Sequence, residues 1–261
     1  MIAFEDVVLT YPRAATSAIA GVSLTAPTAT VTAVVGPNGS GKSTLVRALL
    51  GRIRAQRGRI LLSGESLDSL DRREIARRVG VVTQREESVF PLVVREFVAL
   101  GRFAHGGPLA PENTVDRDAV SDALRRAGVA ELADRRTDAL SGGEWQRVRV
   151  ARTLAQQTPA IVLDEPTTFL DVSHEMELFE LLESLASEGR AVLVVSHQLN
   201  LVARFAHQLV LLHRGRVVAT GTPADVLRSE VLEPVYDWPL AVTHDVLTGS
   251  PSVVPLRSPA R

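Results

Sequence analysis

The chain has 261 residues, of which 45% are hydrophobic and 23% charged, and a net charge of −1 at pH 7. This composition is ordinary for a globular protein of one or two domains with a sizeable core, and the charge lacks the basic excess typical of nucleic-acid binding. Cysteine is absent, which excludes disulfides and thiolate chemistry and fits a reducing compartment.

The beginning of the chain carries acidic residues where a secretory signal would be basic. The sequence has no run of the roughly 18–20 apolar residues that would span a bilayer. We therefore expect any membrane role to come through a partner.

Short strands are predicted in the first third of the chain. Residues 2–9 and 31–35 are rich in β-branched side chains, and 59–62 is an apolar run bounded by glycines. Apolar residues at helical spacing follow in 43–50.

The middle of the chain, roughly 85–140, is predicted to be helical. Helical patterns cover 93–100 and 116–127, and the loop between them, GGPLAPENT, contains the usual chain-breaking residues.

Helix and strand alternate from residue 141 onward. The predicted order is a helix with a stripe at Trp145, Val148, Ala151 and Leu154, a strand at 161–163, a helix at 175–186 and a strand at 191–195. This alternation predicts a parallel sheet with helices on both faces. A hairpin at 208–219 turning at Arg214-Gly215, a helix opened by Thr222 and Pro223, and a fraying Ser/Pro-rich end at 250–261 complete the prediction.

A glycine-rich loop lies between the strand at 31–35 and the helix at 43–50. It consists of Gly36, Pro37, Asn38, Gly39, Ser40, Gly41, Lys42, Ser43 and Thr44. It matches the G-x-x-x-x-G-K-[ST] pattern, in which backbone N–H groups and a helix N-terminus surround phosphates. Lys42 would add positive charge at the β- and γ-phosphates, and the Ser43 hydroxyl would ligate Mg²⁺. The strand–loop–helix context favours this function over a simple turn.

The strand at 161–163 ends in two carboxylates, Asp164 and Glu165. Ligands of open α/β sheets lie beyond the carboxyl ends of strands. Asp164 would hold Mg²⁺ directly or through water, and Glu165 would polarise the water that attacks the γ-phosphate. Alone, this Asp-Glu-Pro sequence is equally typical of a solvated turn, but the phosphate loop upstream favours the functional interpretation.

The helix at Trp145 opens with Ser141, Gly142 and Gly143. Ser141 and Glu144 have the spacing of a capping box. The two glycines cost about 1 kcal/mol each relative to alanine in a helix, so bare backbone there suggests that another group comes close. Such a helix start also suits a second contact with phosphate.

The motifs GPNGSGKST, LSGGE and IVLDEP, in this order, resemble the nucleotide-binding subunits of ATP-binding-cassette transporters, over about residues 3–256. The resemblance implies an α/β fold: a P-loop NTPase core with a mainly parallel sheet, an N-terminal antiparallel β subdomain and an inserted α-helical subdomain. It implies a single domain over 1–261, with the helical subdomain at about 85–145 and a C-terminal extension at 222–261. It also implies Mg²⁺-dependent ATP hydrolysis.

Four further residues take roles from this resemblance. Tyr11 would stack on adenine, Gln84 would reach Mg²⁺ and the attacking water and link the core to the helical subdomain, Asp171 would communicate across a dimer, and His197 would contact the γ-phosphate. Alone, Tyr11 could equally be an edge-strand residue, and a single glutamine or histidine is more often structural. The catalytic set is then Glu165, His197, Gln84 and Lys42, and the metal ligands are Ser43, Gln84 and Asp164.

The resemblance implies a head-to-tail homodimer. Two ATP molecules would lie at its interface, each held by the phosphate loop of one subunit and by the Ser141 helix start of the other. ATP would then close the dimer, and hydrolysis would reopen it.

Several features resemble the importers of ferric siderophores, heme and cobalamin. They are Leu100-Gly101-Arg102 with His105, Thr167-Thr168-Phe169-Leu170-Asp171, Gly221-Thr222-Pro223, and Thr248-Gly249 before Val254-Pro255. A membrane permease would dock near 85–102, where the apolar residues are Val89, Phe90, Leu92 and Val93; an amphipathic helix packed inward explains them equally well.

The chain would then lie peripherally on the cytoplasmic face of the membrane, served indirectly by a periplasmic or extracellular substrate-binding protein. His105 is not expected to bind metal, because a chelate would travel through the permease. A soluble cassette ATPase acting on nucleic acid or ribosomes is the alternative, but the single cassette and the absence of basic arms disfavour it. A P-loop kinase is disfavoured by LSGGE and by Glu165.

Overall fold

A computed structural model describes residues 1–84, 86, 90–106 and 113–257. Its strands are β1 (Ile2–Leu9), β2 (Ile19–Ala26), β3 (Thr30–Val35), β4 (Arg57–Leu62), β5 (Glu65–Ser66), β6 (Val79–Val82), β7 (Ala160–Asp164), β8 (Ala191–Val195), β9 (Gln208–His213), β10 (Arg216–Gly221), β11 (Leu240–His244) and β12 (Pro251–Pro255). Its α-helices are α1 (Lys42–Leu49), α2 (Arg72–Arg78), α3 (Val94–Ala99), α4 (Phe103–Gly106), α5 (Thr114–Arg126), α6 (Gly142–Ala155), α7 (Val172–Ser187), α8 (Leu199–Phe205), α9 (Pro223–Val226) and α10 (Ser229–Tyr236).

Three predictions fall partly on residues outside the described ranges. They concern residues 85 and 87–89, including Val89, of the expected permease contact, the 107–112 part of the predicted loop, and 258–261 of the chain end.

The larger sheet has the strand order β10-β9-β3-β8-β7-β6. The strands from β9 to β6 are parallel, and β10 pairs antiparallel with β9. Ile161 and Leu163 of β7 enter one hydrophobic cluster, whereas Val162 enters another on the opposite face. The sheet is thus covered on both faces, which explains its continuous apolar strands. The predicted mainly parallel sheet is confirmed.

The strand register brings several carboxyl ends to one edge of this sheet. Val34 of β3 lies opposite Val195 of β8, and Leu163 of β7 lies opposite Val194. The segments that follow β3, β7 and β8 therefore leave the sheet side by side. These are the segments that contain the phosphate loop, the acidic pair and His197.

The smaller sheet has the order β2-β1-β4-β5 and is antiparallel throughout. Phe4 and Leu9 of β1 share a buried cluster with Leu45 and Val46 of α1. The predicted N-terminal antiparallel part is confirmed, with β2 as an additional strand that was not predicted.

Helices α3, α5 and α6 lie between β6 and β7 and share one hydrophobic cluster with the larger sheet. The ring of Phe97 in α3 contacts Trp145 in α6, with ring centroids 4.7 Å apart. This is the inserted helical part that the resemblance implies.

The C-terminal region is more ordered than predicted. The hairpin turning at Arg214-Gly215 and the helix that Thr222 caps and Pro223 begins are confirmed. The expectation that the end frays from residue 250 is wrong for 251–255, because these residues form β12, paired antiparallel with β11. Val253 is buried there, and its burial against the helices supplies the free energy that holds the strand.

Across the described ranges, no helix combines the length and the apolar character that crossing a bilayer requires.

Candidate functional site

The phosphate loop is pressed against neighbouring strands at two of its glycines. Gly36 has a φ of 147°, and a Cβ there would lie 2.0 Å from the carbonyl oxygen of Leu212. Gly41 has a φ of 107°, and its Cβ would lie 2.6 Å from Cδ1 of Ile19. Only glycine fits such positions, so the backbone path required for cradling phosphates is built into the fold.

Lys42 closes this loop on itself. Its Nζ donates to the carbonyl oxygen of Gly36 over 2.7 Å and to that of Pro37 over 3.1 Å. Burial lowers the pKa of Lys42, while the charges of Glu165 and Asp164 act to raise it. Because ammonium–phosphate hydrogen bonds are stronger than those to neutral carbonyls, this cation is suited to bind an anion in the loop.

Ser43 and Asp164 come together although they follow different strands. The Ser43 hydroxyl donates to Oδ1 of Asp164 over 3.2 Å. Burial raises the pKa of Asp164, and neighbouring Glu165 raises it further. A hydroxyl and a buried carboxylate are hard oxygen donors of the kind that Mg²⁺ prefers, so the residues present fit this ion.

Glu165 is a buried carboxylate in a constrained backbone conformation. Its φ is 52°, and its N–H donates to the carbonyl oxygen of Val195 over 2.9 Å. Its Oε2 lies 2.5 Å from Nδ1 of His197. The His197 side chain is 61% exposed and therefore accessible to a ligand.

Tyr11 lies beside the first turn of α1. Its hydroxyl is 3.2 Å from Oγ1 of Thr44 and accepts from Arg47 over 2.9 Å. The guanidinium of Arg47 lies 5.8 Å from the centre of the tyrosine ring. Tyr11 is thus adjacent to the phosphate loop, and its stacking on adenine stays a prediction.

Gln84 is exposed just after β6, the strand that pairs with β7. Helix α6 holds the chain on both sides of it. Arg149 donates to the carbonyl oxygen of Thr83, and the Trp145 indole N–H donates to that of Glu86 over 2.9 Å. The segment that contains Gln84 is therefore coupled to the helix that begins at LSGGE.

The capping box at the start of α6 is confirmed. The Ser141 N–H donates to Glu144 over 2.7 Å, a bond that lowers the pKa of Glu144, and the Glu144 N–H donates to the Ser141 hydroxyl over 3.2 Å. A Cβ on Gly142 would lie 3.2 Å from Cβ of Phe169, and one on Gly143 would lie 3.2 Å from the Phe169 carbonyl oxygen. The close approach expected at these glycines is thus made by Phe169 of the same chain; the phosphate contact stays a prediction.

Asp171 caps helix α7. Its carboxylate accepts from the His174 N–H and from the Ser173 hydroxyl, each over 3.0 Å. The backbone bond from His174 is the main cause that lowers the pKa of Asp171. A role across a dimer stays a prediction.

Sequence reasoning missed two buried residues of α6 that connect these parts. Gln146 donates to the Pro166 carbonyl oxygen over 2.7 Å, and Arg149 donates to Gln146 over 2.7 Å. They join the start of α6 to the loop after Glu165. Their signal in the sequence is weak, because both lie outside the apolar stripe that marked this helix.

The expected permease surface is partly exposed. Phe90 and Leu100 are 72% and 49% exposed, whereas Leu92 and Val93 are half-buried. This surface is joined to α6 at Arg102, which donates to the Ala155 carbonyl oxygen over 2.9 Å. His105 contacts the Gln156 carbonyl oxygen over 2.9 Å.

Comparisons with known proteins agree with this geometry. The family model described as "ABC transporter" matches residues 19–168. The ferric enterobactin transport ATP-binding protein FepC of Escherichia coli K12 is 39% identical over 83% of this chain and 80% of that protein. The hemin import ATP-binding protein HmuV of Rhodococcus jostii RHA1 is 41% identical over 83% of this chain and 74% of that protein.

Solved structures are similar over most of their lengths. A metal-chelate type ABC transporter in an inward-facing conformation has a TM-score of 0.82 at 29% identity, over 98% of this chain and 97% of that one. The dimeric cassette MJ0796 of a bacterial ABC transporter has a TM-score of 0.76 at 28% identity, over 85% and 99% of the two chains. With family model, relatives and fold in agreement, the chain belongs to the ABC transporter family and is one of its ATP-binding, ATP-hydrolysing subunits.

Proposed function

We propose that this ATPase energises the import of a metal chelate, of the iron-siderophore, heme or cobalamin type, through a separate membrane permease. ATP hydrolysis is supported by one observation: the phosphate loop, the acidic pair and His197 lie together at one edge of the larger sheet. The import part is supported by relatives named for ferric enterobactin and hemin and by similarity to a metal-chelate type transporter.

In this proposal, the loop from Gly36 to Thr44 binds the triphosphate, with Lys42 at its β- and γ-phosphates. Glu165 accepts a proton from the attacking water, and its 2.5 Å contact with His197 holds the carboxylate in place. Gln84 orients the same water, His197 contacts the γ-phosphate, and Tyr11 stacks on adenine.

We also propose that Mg²⁺ is bound by Ser43, Asp164 and Gln84. The first two already lie 3.2 Å apart and supply hard oxygen donors. When bound, Mg²⁺ would neutralise phosphate charge. The protein's part is to hold Ser43 and the buried Asp164 together beside the phosphate loop.

The proposed working unit is a head-to-tail homodimer. Ser141, Gly142 and Gly143 of one subunit would meet the γ-phosphate held by the other, and Asp171 would contact the opposite subunit. The glycine backbone and the dipole at the start of α6 suit an anion, and MJ0796 is a dimeric relative in structure.

The proposed permease contact is the segment near 85–102, with exposed Phe90 and Leu100. The chain would then be peripheral on the cytoplasmic face of the membrane, with the substrate-binding protein on the other side. We propose a single domain over 1–261, with a helical subdomain at about 85–145 and a C-terminal extension at 222–261.

The test is purification of the tagged chain from solubilised membranes of its own cells. We expect co-purification of a multi-spanning membrane protein, and stimulation of ATP hydrolysis when that protein and a chelate-loaded binding protein are added. A soluble species stimulated by nucleic acid and not by any membrane protein would contradict the import function.

A further inference from the structure

The segment after β8 is tied to three different elements within four residues. Nδ1 of His197 lies 2.5 Å from Oε2 of Glu165, and Nε2 of Gln198 donates to Oε1 of Glu175 over 2.8 Å. The third tie, made by Asn200, reaches the C-terminal hairpin formed by β11 and β12. This third tie has no part in the site described above.

The contact of Asn200 with the hairpin is a two-point pairing. The Val253 N–H donates to Oδ1 of Asn200 over 2.7 Å, and Nδ2 of Asn200 donates to the Val253 carbonyl oxygen over 3.2 Å. The Asn200 carboxamide thus bonds both backbone groups of Val253, as a residue of a neighbouring strand would. Val253 faces Val242 across the hairpin, so Asn200 occupies the other edge of β12. Pairing at both points fixes the hairpin and α8 in one relative position.

Helix α8 lacks one of the usual hydrogen bonds at its start. Its N-cap residue, Gln198, makes no side-chain capping hydrogen bond. A cavity of about 570 Å³, lined by Val172, His197, Leu199, Tyr236, Val253 and Pro255, separates the His197 loop from the hairpin. The imidazole therefore borders open space on that side, and the hydrogen bonds along 197–200 help to hold it.

The hairpin itself is a firm support. Val253 is 7% exposed and shares the main hydrophobic cluster with Val202 of α8. The Leu240 N–H donates to Glu233 of α10 over 3.0 Å, and the Trp238 indole donates to the Leu256 carbonyl oxygen over 2.8 Å. A hairpin anchored by the buried Val253 and by a hydrogen bond to α10 can help to position a helix start that lacks a side-chain cap.

We infer that Asn200 is a positioning residue for hydrolysis: by clamping α8 to the C-terminal hairpin, it holds the His197 imidazole against Glu165. This inference rests on the proposed function of His197. It gives the C-terminal hairpin a part in ATP hydrolysis, although none of its own residues touches the phosphate loop in the hydrogen bonds of the described residues. Small displacements of a positioned group are costly in rate, so the loss should appear in kcat.

The experiment is a double-mutant cycle on ATPase activity of the full chain, with Asn200→Ala, His197→Ala and the double variant. Gln208→Ala is the matched control, since the Gln208 side-chain amide contacts Thr220 and not the C-terminal hairpin. We expect Asn200→Ala to lower kcat about 10-fold with KM for ATP unchanged within about twofold. In the His197→Ala background, Asn200→Ala should have almost no further effect on kcat, because the imidazole that Asn200 positions is already absent.

A merely structural role would lower the melting temperature and reduce activity by the same factor in both backgrounds, which would overturn the inference. A wild-type kcat for Asn200→Ala beside an impaired His197→Ala would overturn the inference alone. A wild-type kcat for His197→Ala would overturn both this inference and the proposed role of His197.

Discussion

Nδ1 of His197 lies 2.5 Å from Oε2 of Glu165, although the residues are 32 positions apart in the chain. The contact exists because β7 and β8 are parallel neighbours, so that the segments after them leave the sheet together. The positive φ of Glu165, 52°, and the bond from its N–H to Val195 direct the carboxylate before any nucleotide arrives. A fixed carboxylate lowers the reorganisation needed during hydrolysis.

Glu165→Gln should therefore abolish turnover and leave ATP binding intact. The amide preserves shape but cannot take a proton from water, so we expect phosphate release to fall at least about 100-fold. The bound ATP should also trap the dimer, which sedimentation in the presence of ATP would reveal. Glu180→Gln, on the exposed face of α7, is the control and should behave as wild type. Normal hydrolysis by the Glu165 variant would remove this residue from its proposed role.

Lys42 is the only lysine of the sequence, which makes it selectively addressable. Because burial lowers its pKa, more of the amine is neutral at a given pH than for an ordinary lysine. We expect an amine-acylating reagent near pH 8 to modify Lys42 besides the N-terminus, to abolish nucleotide binding, and to be blocked by ATP. Peptide mass spectrometry would locate the label, with Lys42→Ala as the control. Modification of Lys42 at the same rate with and without saturating ATP would contradict its position at the phosphates.

The buried strands and the motif residues could be predicted because their signals are local. β7 and β8 are buried at every position and so read as continuous apolar runs. The spacing of its glycines identifies the phosphate loop, and Gly36 and Gly41 indeed occupy conformations that other residues cannot adopt. Such features depend on a few consecutive residues, so they can be predicted without knowing which distant residues they contact.

What could not be predicted depends on residues that are distant in the chain. β2 alternates buried and exposed residues after Gly21, and Val253 of β12 pairs with Val242 and is hydrogen-bonded to Asn200. The contact of Phe169 with Gly142 likewise offers no signal to composition or periodicity. These pairings arise from packing, which decides the conformation wherever local preference is weak.

The contact between Gly142 and Phe169 predicts that a second substitution, at Phe169, restores the ATPase activity lost on substitution of Gly142. Gly142→Ala would place a Cβ 3.2 Å from Cβ and 3.3 Å from Cγ of Phe169, so we expect ATPase activity to fall about 10-fold as the start of α6 shifts. Phe169→Gly should restore most of it, because it removes both atoms and glycine tolerates the φ of 73° found there. Phe169→Ala keeps Cβ and should rescue less. Equal rescue by both changes would show that the side-chain contact is not the cause.

Among the residues of the expected permease surface, Arg102 should contribute strongly to the free energy of unfolding. Its Nε donates to Asp116 over 2.7 Å, with the two side chains only 10% and 15% exposed, and its other contacts are with the end of α6. Breaking a buried pair leaves an uncompensated charge, so Arg102→Ala should lower the free energy of unfolding by about 3 kcal/mol in urea titrations. Arg125→Ala, at a side chain 72% exposed and paired with Asp122, should cost less than about 1 kcal/mol. If Arg102→Ala and Arg125→Ala lowered the free energy of unfolding by similar amounts, the proposed stabilising role of Arg102 would be contradicted.

The charged carboxylate of Asp164 should destabilise the nucleotide-free protein, although it is needed to bind Mg²⁺ with ATP. Burial raises its pKa, so its contribution to stability is lost as the pH rises through the folded pKa, and at neutral pH the charged form is destabilising. Asp164→Asn keeps an acceptor for Ser43 and removes the charge, so we expect the melting temperature at pH 7 to rise by a few degrees while Mg²⁺-dependent hydrolysis is lost. The difference from wild type should shrink as the pH falls, because a growing fraction of the wild-type carboxyl is then protonated. Adding Mg²⁺ with ATP should stabilise the wild type and not the variant in the same thermal scans. An Asn variant that melts below the wild type at pH 7, or that still gains stability from Mg²⁺ with ATP, would rule out this account of the buried carboxylate.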